Sequence, residues 1–398
     1  MKHLYCALCA FFAATVAVFA QQSPQEEEII TDFGTDEYVY VPNLTLHIGA
    51  RAISGAKSTF SGKGNLLSTQ GYGALTDTRI NRNYHDGYIN VDSRTILDAN
   101  GNSAPISPDG KTNSWTYLDN AQVMADGLLA MHTYAVATAD TTTPSHDLGN
   151  SYGMELTLTR DMGTLFKSRA RWGLVAGLSM SDLNASTSGL VPATVTTVTD
   201  LYSLDGQVPP PAPYYAPTAL SIPVLDSNGN PVLGPSGTAL TRTADSSTLL
   251  GNQPLDRRTT TASTTVSNKW KLKGSFMTFR FGPTVFVPIT EHLSASFSVG
   301  AALVYAGSTY TVVQAYKPAT SNDIVDFVSD GVSEFLPGFY VDANLNYTFT
   351  DTAGMYLGAS YQSSGDYTQK ISSTTSAYST HVDLNGMQGL RAGMTFRF

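Results

Sequence analysis

The chain has 398 residues, of which 42% are hydrophobic and only 14% charged, with a formal net charge of −9 and a mean hydropathy of −0.09. That charge sets it against nucleic acid, whose phosphates it would repel, and the composition is too polar for a bundle of membrane helices. Its two cysteines, Cys6 and Cys9, fall in a leader expected to be removed, so no disulfide or cysteine-ligated metal is expected afterwards.

Met1, Lys2 and His3 form a short basic start, Leu4 to Phe19 are almost wholly apolar, and Val18-Phe19-Ala20 before Gln21 fits a small-residue cleavage site. Residues 1–20 therefore read as a secretory signal peptide, the apolar run being shorter than the roughly 20 residues of a membrane helix. Residues 21–43, with Glu26, Glu27 and Glu28, are expected to be a solvated acidic segment in the periplasm. Leu44, Leu46, Ile48, Ala50 and Ala52 then alternate with polar residues, the period of a strand with one apolar face.

A long loop is expected over about 53–151. Within it, 115–125 and 128–138 flank Asp126-Gly127, a strong hairpin signal. Asp119, Asn120, Gln122 and His132 would spoil a lipid-facing stripe, so the hairpin is expected above the membrane. The pairs His85-Asp86 and His146-Asp147 read as solvated turns rather than acid/base couples. Gly110-Lys111-Thr112 lacks the leading glycine and strand-to-helix setting of a phosphate loop and reads as a polar turn.

Further strands follow at Met154, Leu156 and Leu158 and from Trp172 to Met180. A second long loop is expected over about 187–262, with a stiff segment, Pro209 to Pro217, around Tyr214 and Tyr215. Leu225 to Asn230 repeats the pattern of Leu97 to Asn102, an Asn-Gly turn between apolar flanks. Both runs resemble the start of a calcium loop. Their sixth residues are Ser103 and Pro231 and their twelfth are Asp109 and Gly237, where glycine and glutamate are needed, so hairpin turns are the better reading.

The alternation resumes at Met277 to Val287, Leu293 to Tyr305, Phe339 to Phe349, Met355 to Tyr361 and Leu390 to Phe398. Trp270 and Leu272 have the opposite parity from Met277 to Val287, which predicts either a bulge near Gly274 or a strand continuing above the membrane. The connections alternate short and long, with Asp161 to Lys167, Pro288 to Glu291 and Asp351 to Gly354 short. Short turns belong to the periplasmic side of an outer-membrane barrel and long loops to the outside. The fold expected is all-β: a closed antiparallel transmembrane barrel of eight strands over residues 44–398, or ten if the 115–138 hairpin also crosses.

The last strand ends on Phe396 and Phe398, spaced to fall on one face. This resembles the C-terminal insertion signal of bacterial outer-membrane β-barrel proteins, and the chain as a whole resembles the small OmpA, OmpX and OmpW kind. The resemblance covers the strands and the two ends, not the loops. It implies a place in the cell outer membrane, contact with its lipids, and recognition by the barrel-assembly machinery through the terminal strand.

Opposite the apolar faces, Arg51, Glu155, Arg280, Asp342, Gln362 and Arg391 lie at similar depths counted from the short turns. Lone charges inside a narrow barrel are costly, so these are expected to satisfy one another. Two readings follow: a gated pore lined by Arg51, Arg280 and Arg391, or a packed plug, which the narrow bore of about eight strands favours. No His-Glu-x-x-His or Gly-x-Ser-x-Gly motif is present. The expectation is a structural or surface-interaction protein, not an enzyme, without cofactor or metal, whose outer loops contact an extracellular partner; a narrow channel is the alternative and a surface enzyme the least favoured.

Overall fold

The computed structural model describes residues 43–77, 79–97, 102–166, 169–216, 220–244 and 248–398. The signal peptide, nearly all of the acidic segment, and Asp98 to Gly101 of the first Asn-Gly repeat lie outside the described residues. The rest is almost entirely strand and turn, with one short 3-10 helix, Asn120–Gln122, as its helical element.

Eight strands carry the architecture: β1 (Leu44–Ser54), β2 (Ser151–Thr164), β3 (Arg171–Ser203), β4 (Asp256–Pro288), β5 (Leu293–Tyr316), β6 (Ile324–Thr348), β7 (Ala353–Ser363) and β8 (Met387–Arg397). Each pairs antiparallel with the next in chain order, and β1 pairs with both β2 and β8, so the pairings run in a ring. The strand count nevertheless exceeds the eight expected. Leu128–Thr138 adds to the far end of β3 and Asn65–Leu66 adds to it in turn, making a principal sheet of ten. Nor is this the ten-stranded alternative: the arm before Asp126-Gly127 is the 3-10 helix rather than a strand. Trp115–Tyr117 instead pairs with Gly87–Ile89 and Tyr214–Tyr215 in a separate small sheet.

The expected loop boundaries move for one physical reason: four strands continue far past membrane length. β3 and β4 have 33 residues each, β5 has 24 and β6 has 25, against about 9 to 11 for a spanning strand. Residues 187–203 and 256–262 are therefore strand rather than loop, and the β5–β6 connection is confined to 317–323. No bulge occurs near Gly274. The β3–β4 register holds without a shift from Arg171↔Phe286 to Leu201↔Asp256, so the parity change at Trp270 reflects a change of environment along one strand.

That change is a reversal of facing. On β4 the outward side carries Met277, Phe279, Phe281, Val285 and Val287, and the inward side carries the buried Thr278, Arg280 and Thr284. Farther along, the outward side carries the exposed Lys269, Lys271 and Lys273, and the inward side the buried Val266, Trp270, Leu272 and Phe276. The ten residue steps from Met277 to Val287 span about 33 Å of strand at about 3.3 Å each, and a tilt of about 40° makes this a band about 25 Å tall.

Beyond the band the ring opens into two layers. β1, β7 and β8 end at Gly55, Gly365 and Gly386, each with φ between +69° and +100°, a conformation that favours glycine. From these bends Lys57–Lys63, Asp366–Ser372 and Ala377–Asp383 form a second sheet. Phe60, Tyr367, Ile371, Tyr378 and Val382 from that sheet pack with Leu183, Trp270, Leu272, Phe276, Val304 and Tyr310 from the long strands. Phe60 stacks on Tyr310 at 5.6 Å between ring centroids. Each such side chain, removed from water, contributes roughly 1.5 to 3 kcal/mol, so the half beyond the band has the core of a β-sandwich. A second aromatic core, Tyr84, Trp115, Tyr117, Met131 and Tyr202, holds the loop segments against β3.

Candidate functional site in the strand ring

The six expected interior residues are all buried, none more than 4% exposed. Their cross-strand neighbours explain how long side chains fit in a narrow ring. Arg280 on β4 stands between Gly177 and Ala302, Arg391 on β8 beside Gly358, and Asp342 on β6 between Ser298 and Ser360. Glu155 on β2 lies between Gly49 and Ser179. At Gly49 a Cβ would fall 2.2 Å from the Tyr356 hydroxyl, so a glycine there leaves the tyrosine room to reach Glu155.

Four of the six make a closed ionic cluster. Arg280 donates to Asp342 at 2.7 Å and to Glu155 at 3.1 Å. Arg391 lies 2.8 Å from the other Glu155 oxygen and also donates to the Asp342 oxygen that Arg280 uses. Each carboxylate thus meets both arginines. The remaining two stand beside this cluster rather than in it. Arg51 donates to Ser179 and, at 3.4 Å, to Gln362, whose amide donates to Thr278 at 3.1 Å. No carboxylate among the described residues pairs with Arg51, so the layer holds three arginines against two carboxylates.

Two tyrosines were missed. The Tyr356 hydroxyl donates to Glu155 at 2.5 Å, and its ring lies 5.4 Å from the Arg391 guanidinium; the Tyr340 ring lies 5.4 Å from that of Arg280. Both sit on the polar parity of strands already recognised, which was the available signal. Such faces attract cations, the more so away from water.

The layer has little free space. A cavity of about 20 Å³ lies against it, bordered by His47, Thr157, Asp342 and Arg391, room for about one water. A basin of about 670 Å³ opens at the short-turn end, lined by Thr45, Thr159, Arg171, Glu291, His292 and Arg397 among others. Beyond the layer, on the other side, stands the apolar sandwich core. No cluster of three or more His, Cys, Asp or Glu suited to a metal occurs among the described residues.

Outside the ring, His85-Asp86 is not the solvated turn expected. Asp86 is fully buried, accepting from the His132 backbone at 2.8 Å and from Thr320 at 2.9 Å, with His132 Nδ1 at 2.6 Å. Tyr134 N donates to His85 Nδ1 at 3.0 Å, and burial pushes the His85 pKa down. The hydroxyl bonds the carboxylate and not the imidazole, so this is no nucleophile triad; it ties the 317–323 connection to the loop core. Asp226 accepts from Asn228 and Asn230, a closed turn as expected for that run. Phe396 and Phe398 are outward and 41% and 48% exposed, and Phe398 exchanges two backbone hydrogen bonds with Leu44.

No protein-family model matches the chain, and no curated protein matches it. Among solved structures it is similar to the outer membrane protease OmpT of Escherichia coli, with 11% identity, a TM-score of 0.28, and coverage of 92% of this chain and 100% of that one. It is also similar to the outer membrane protein OprG of Pseudomonas aeruginosa, with 8% identity, a TM-score of 0.26, and coverage of 90% and 96%. A FadL homologue of Pseudomonas aeruginosa follows at 8% identity and a TM-score of 0.17, covering 89% and 90%. Likeness at this level says nothing of a shared site.

Proposed function

We propose that the chain is an outer-membrane protein whose eight-stranded ring closes as a transmembrane barrel and carries a β-sandwich and loop core outside the cell for contact with an extracellular partner. The observation that carries this is the reversal of facing at one level on adjacent strands. Apolar side chains turned outward need lipid, and beyond them β3, β4 and β5 bury their apolar side and turn mainly lysine, serine, threonine and asparagine to water, whereas β6 keeps Phe327 and Val325 outward. Residues 1–20 would serve as the export signal, and the strand ending at Phe396 and Phe398 would be the segment read by the assembly machinery.

The role is structural and interactive rather than enzymatic or conductive. The four-residue ionic cluster, the 20 Å³ cavity beside it and the apolar core beyond it support a plug. Planar-bilayer recording of the refolded protein tests this: silence is expected, and stable ion steps would favour the channel reading. In detergent, the unboiled protein should migrate differently from the boiled form on a denaturing gel, because a closed sheet has no free edge to unzip. Identical migration of the two would sink the barrel.

A further inference from the structure

Past the end of β5 the long sheet has an open edge. β4 pairs with β3 from one end to the other, but its pairing with β5 begins only at Ser267↔Ala315, so residues 256–266 have no ladder partner on that side among the described residues. The connection after β5 turns away from this slot, since Thr320 bonds Asp86 at 2.9 Å and Tyr134 at 3.0 Å. Residues 259–263 are all exposed, on both faces of the strand. Ala139 N donates to Pro192 O, so the even residues of β3 turn their backbone groups toward Leu128–Thr138 and the odd ones toward β4. In register, Thr259, Thr261, Ser263 and Thr265 then turn N–H and C=O to the open edge.

Two other long edges beyond the band are guarded, as edges that must stay unpaired usually are. On β6 the exposed Asp326, Asp330 and Glu334 recur along the strand, and Gly331 N already donates to the Asp330 carboxylate at 2.8 Å. Along Leu128–Thr138 the outer groups are taken by Asp86, His85 and Gln122. On β4, by contrast, residues 259–267 carry no charge, proline or glycine.

The sequence of this edge selects its occupant. Thr-Thr-Thr-Ala-Ser-Thr-Thr over 259–265 reads almost the same in both directions. A two-fold axis at Ala262 sets Thr261 opposite the partner's Ser263, and Thr259 opposite the partner's Thr265. Hydroxyl side chains favour each other across antiparallel strands, and all four residues present edge-facing backbone, about eight hydrogen bonds in total. The same operation on β6 would set Asp326 against Glu334. We infer that residues 259–265 pair antiparallel with the same residues of a second copy of this chain, adding strand to strand. The inference rests on the transmembrane reading proposed above and names its partner. Strands tilted about 40° from one membrane normal differ by at most about 80° in direction, so two antiparallel ones belong to facing membranes. Ala262 is 15 residue steps past Met277, about 50 Å along the strand and about 38 Å beyond the band at that tilt.

The test refolds the chain into phosphatidylcholine vesicles with the long strands outside and reads clustering by light scattering. Parent vesicles should cluster with one another and leave protein-free vesicles dispersed. Thr261→Lys with Ser263→Lys, or Thr261→Glu with Ser263→Glu, puts like charges opposite each other at outward, exposed positions; each double variant should abolish clustering, and mixing the two populations should restore it. Dispersed parent vesicles, undiminished clustering of a lysine variant that keeps its unboiled mobility, or a lysine and glutamate mixture that stays dispersed overturns the pairing. Capture of protein-free vesicles overturns the second copy as occupant in favour of lipid. If boiling leaves migration unchanged, the transmembrane reading has failed, and sedimentation in detergent then decides the edge alone: a dimer lost in the lysine variant supports the pairing, and a monomeric parent overturns it.

Discussion

Glu155→Gln is the substitution most informative about the ring interior. Glu155 is 1% exposed and touches Arg391 at 2.8 Å, Arg280 at 3.1 Å and Tyr356 at 2.5 Å. Glutamine keeps the shape and one accepting oxygen, but it removes the charge and turns an amide N–H₂ toward a guanidinium. Arg51, Arg280 and Arg391 would then face Asp342 alone. Leaving a buried charge without its partner costs about 3 to 5 kcal/mol. Adding Arg391→Gln leaves two arginines against one carboxylate, the same one-charge excess as in the parent. The double variant should therefore lose less than the two single variants together, by roughly 1 to 3 kcal/mol. Urea titration of protein refolded into vesicles measures all three. Asp256→Asn is the control, because its pair with Arg258 is more than half exposed and surface pairs contribute at most about 1 kcal/mol. A loss below about 1 kcal/mol for Glu155→Gln, comparable to the control, would refute the claim that these charges depend on one another.

Leu345, 51% exposed and outward, lies within the apolar band, so Leu345→Arg should cost about 2 to 4 kcal/mol, less toward the interface. The neighbouring Asn346, 8% exposed and bonded to Ser296 at 3.1 Å, should tolerate arginine better, and the reverse order in refolding titrations would invert the facing of β6. Deleting Phe398 should lower outer-membrane levels in cells far more than it lowers the stability of the refolded barrel; unchanged cellular levels would remove the insertion-signal reading. The hydrogen bond from Tyr134 N requires His85 Nδ1 without a proton, and burial lowers the folded pKa below the unfolded value. The contribution of His85 is therefore present above about pH 6.5 and is lost as the pH falls below that, where the unfolded chain gains the proton first. Protection of amides at residues 84–89 and 132–134, taken relative to the intrinsic exchange rate at each pH, should fall between pH 7.5 and pH 5, and His85→Asn should flatten that part of the fall.

The apolar band was legible because one rule runs through the strands of the ring there: apolar residues at alternate positions, outward. Leu293 to Tyr305 and Phe339 to Phe349 obey it without interruption. The charged layer was legible for the complementary reason, since Arg280, Asp342, Glu155 and Arg391 break the polar parity with full charges at matched depths. Beyond the band the rule inverts. Trp270 and Leu272 then look like a fault in the pattern when they are its continuation, and after Thr187 the inward stripe of Val191, Ala193 and Val195 is short and set among threonines, next to Gly189 and Pro192, so it does not stand out as strand. Asp86 with His132, and Phe60 on Tyr310, join residues far apart in sequence, and no periodicity records such meetings.

The unbroken β3–β4 ladder fixes more than a fold. From Leu183, where the facing reverses, to Ser203 are 20 residue steps, about 66 Å along the strand and about 50 Å in height beyond the apolar band at the same tilt of about 40°. The hydrogen bonds cross the level where the facing reverses without a hinge, so the loop core at the far end is mounted on a stiff mast. Whatever it meets is met at a set distance from the strand ring and in a set orientation, and a pull applied there is delivered to the wall of the ring rather than absorbed by a linker.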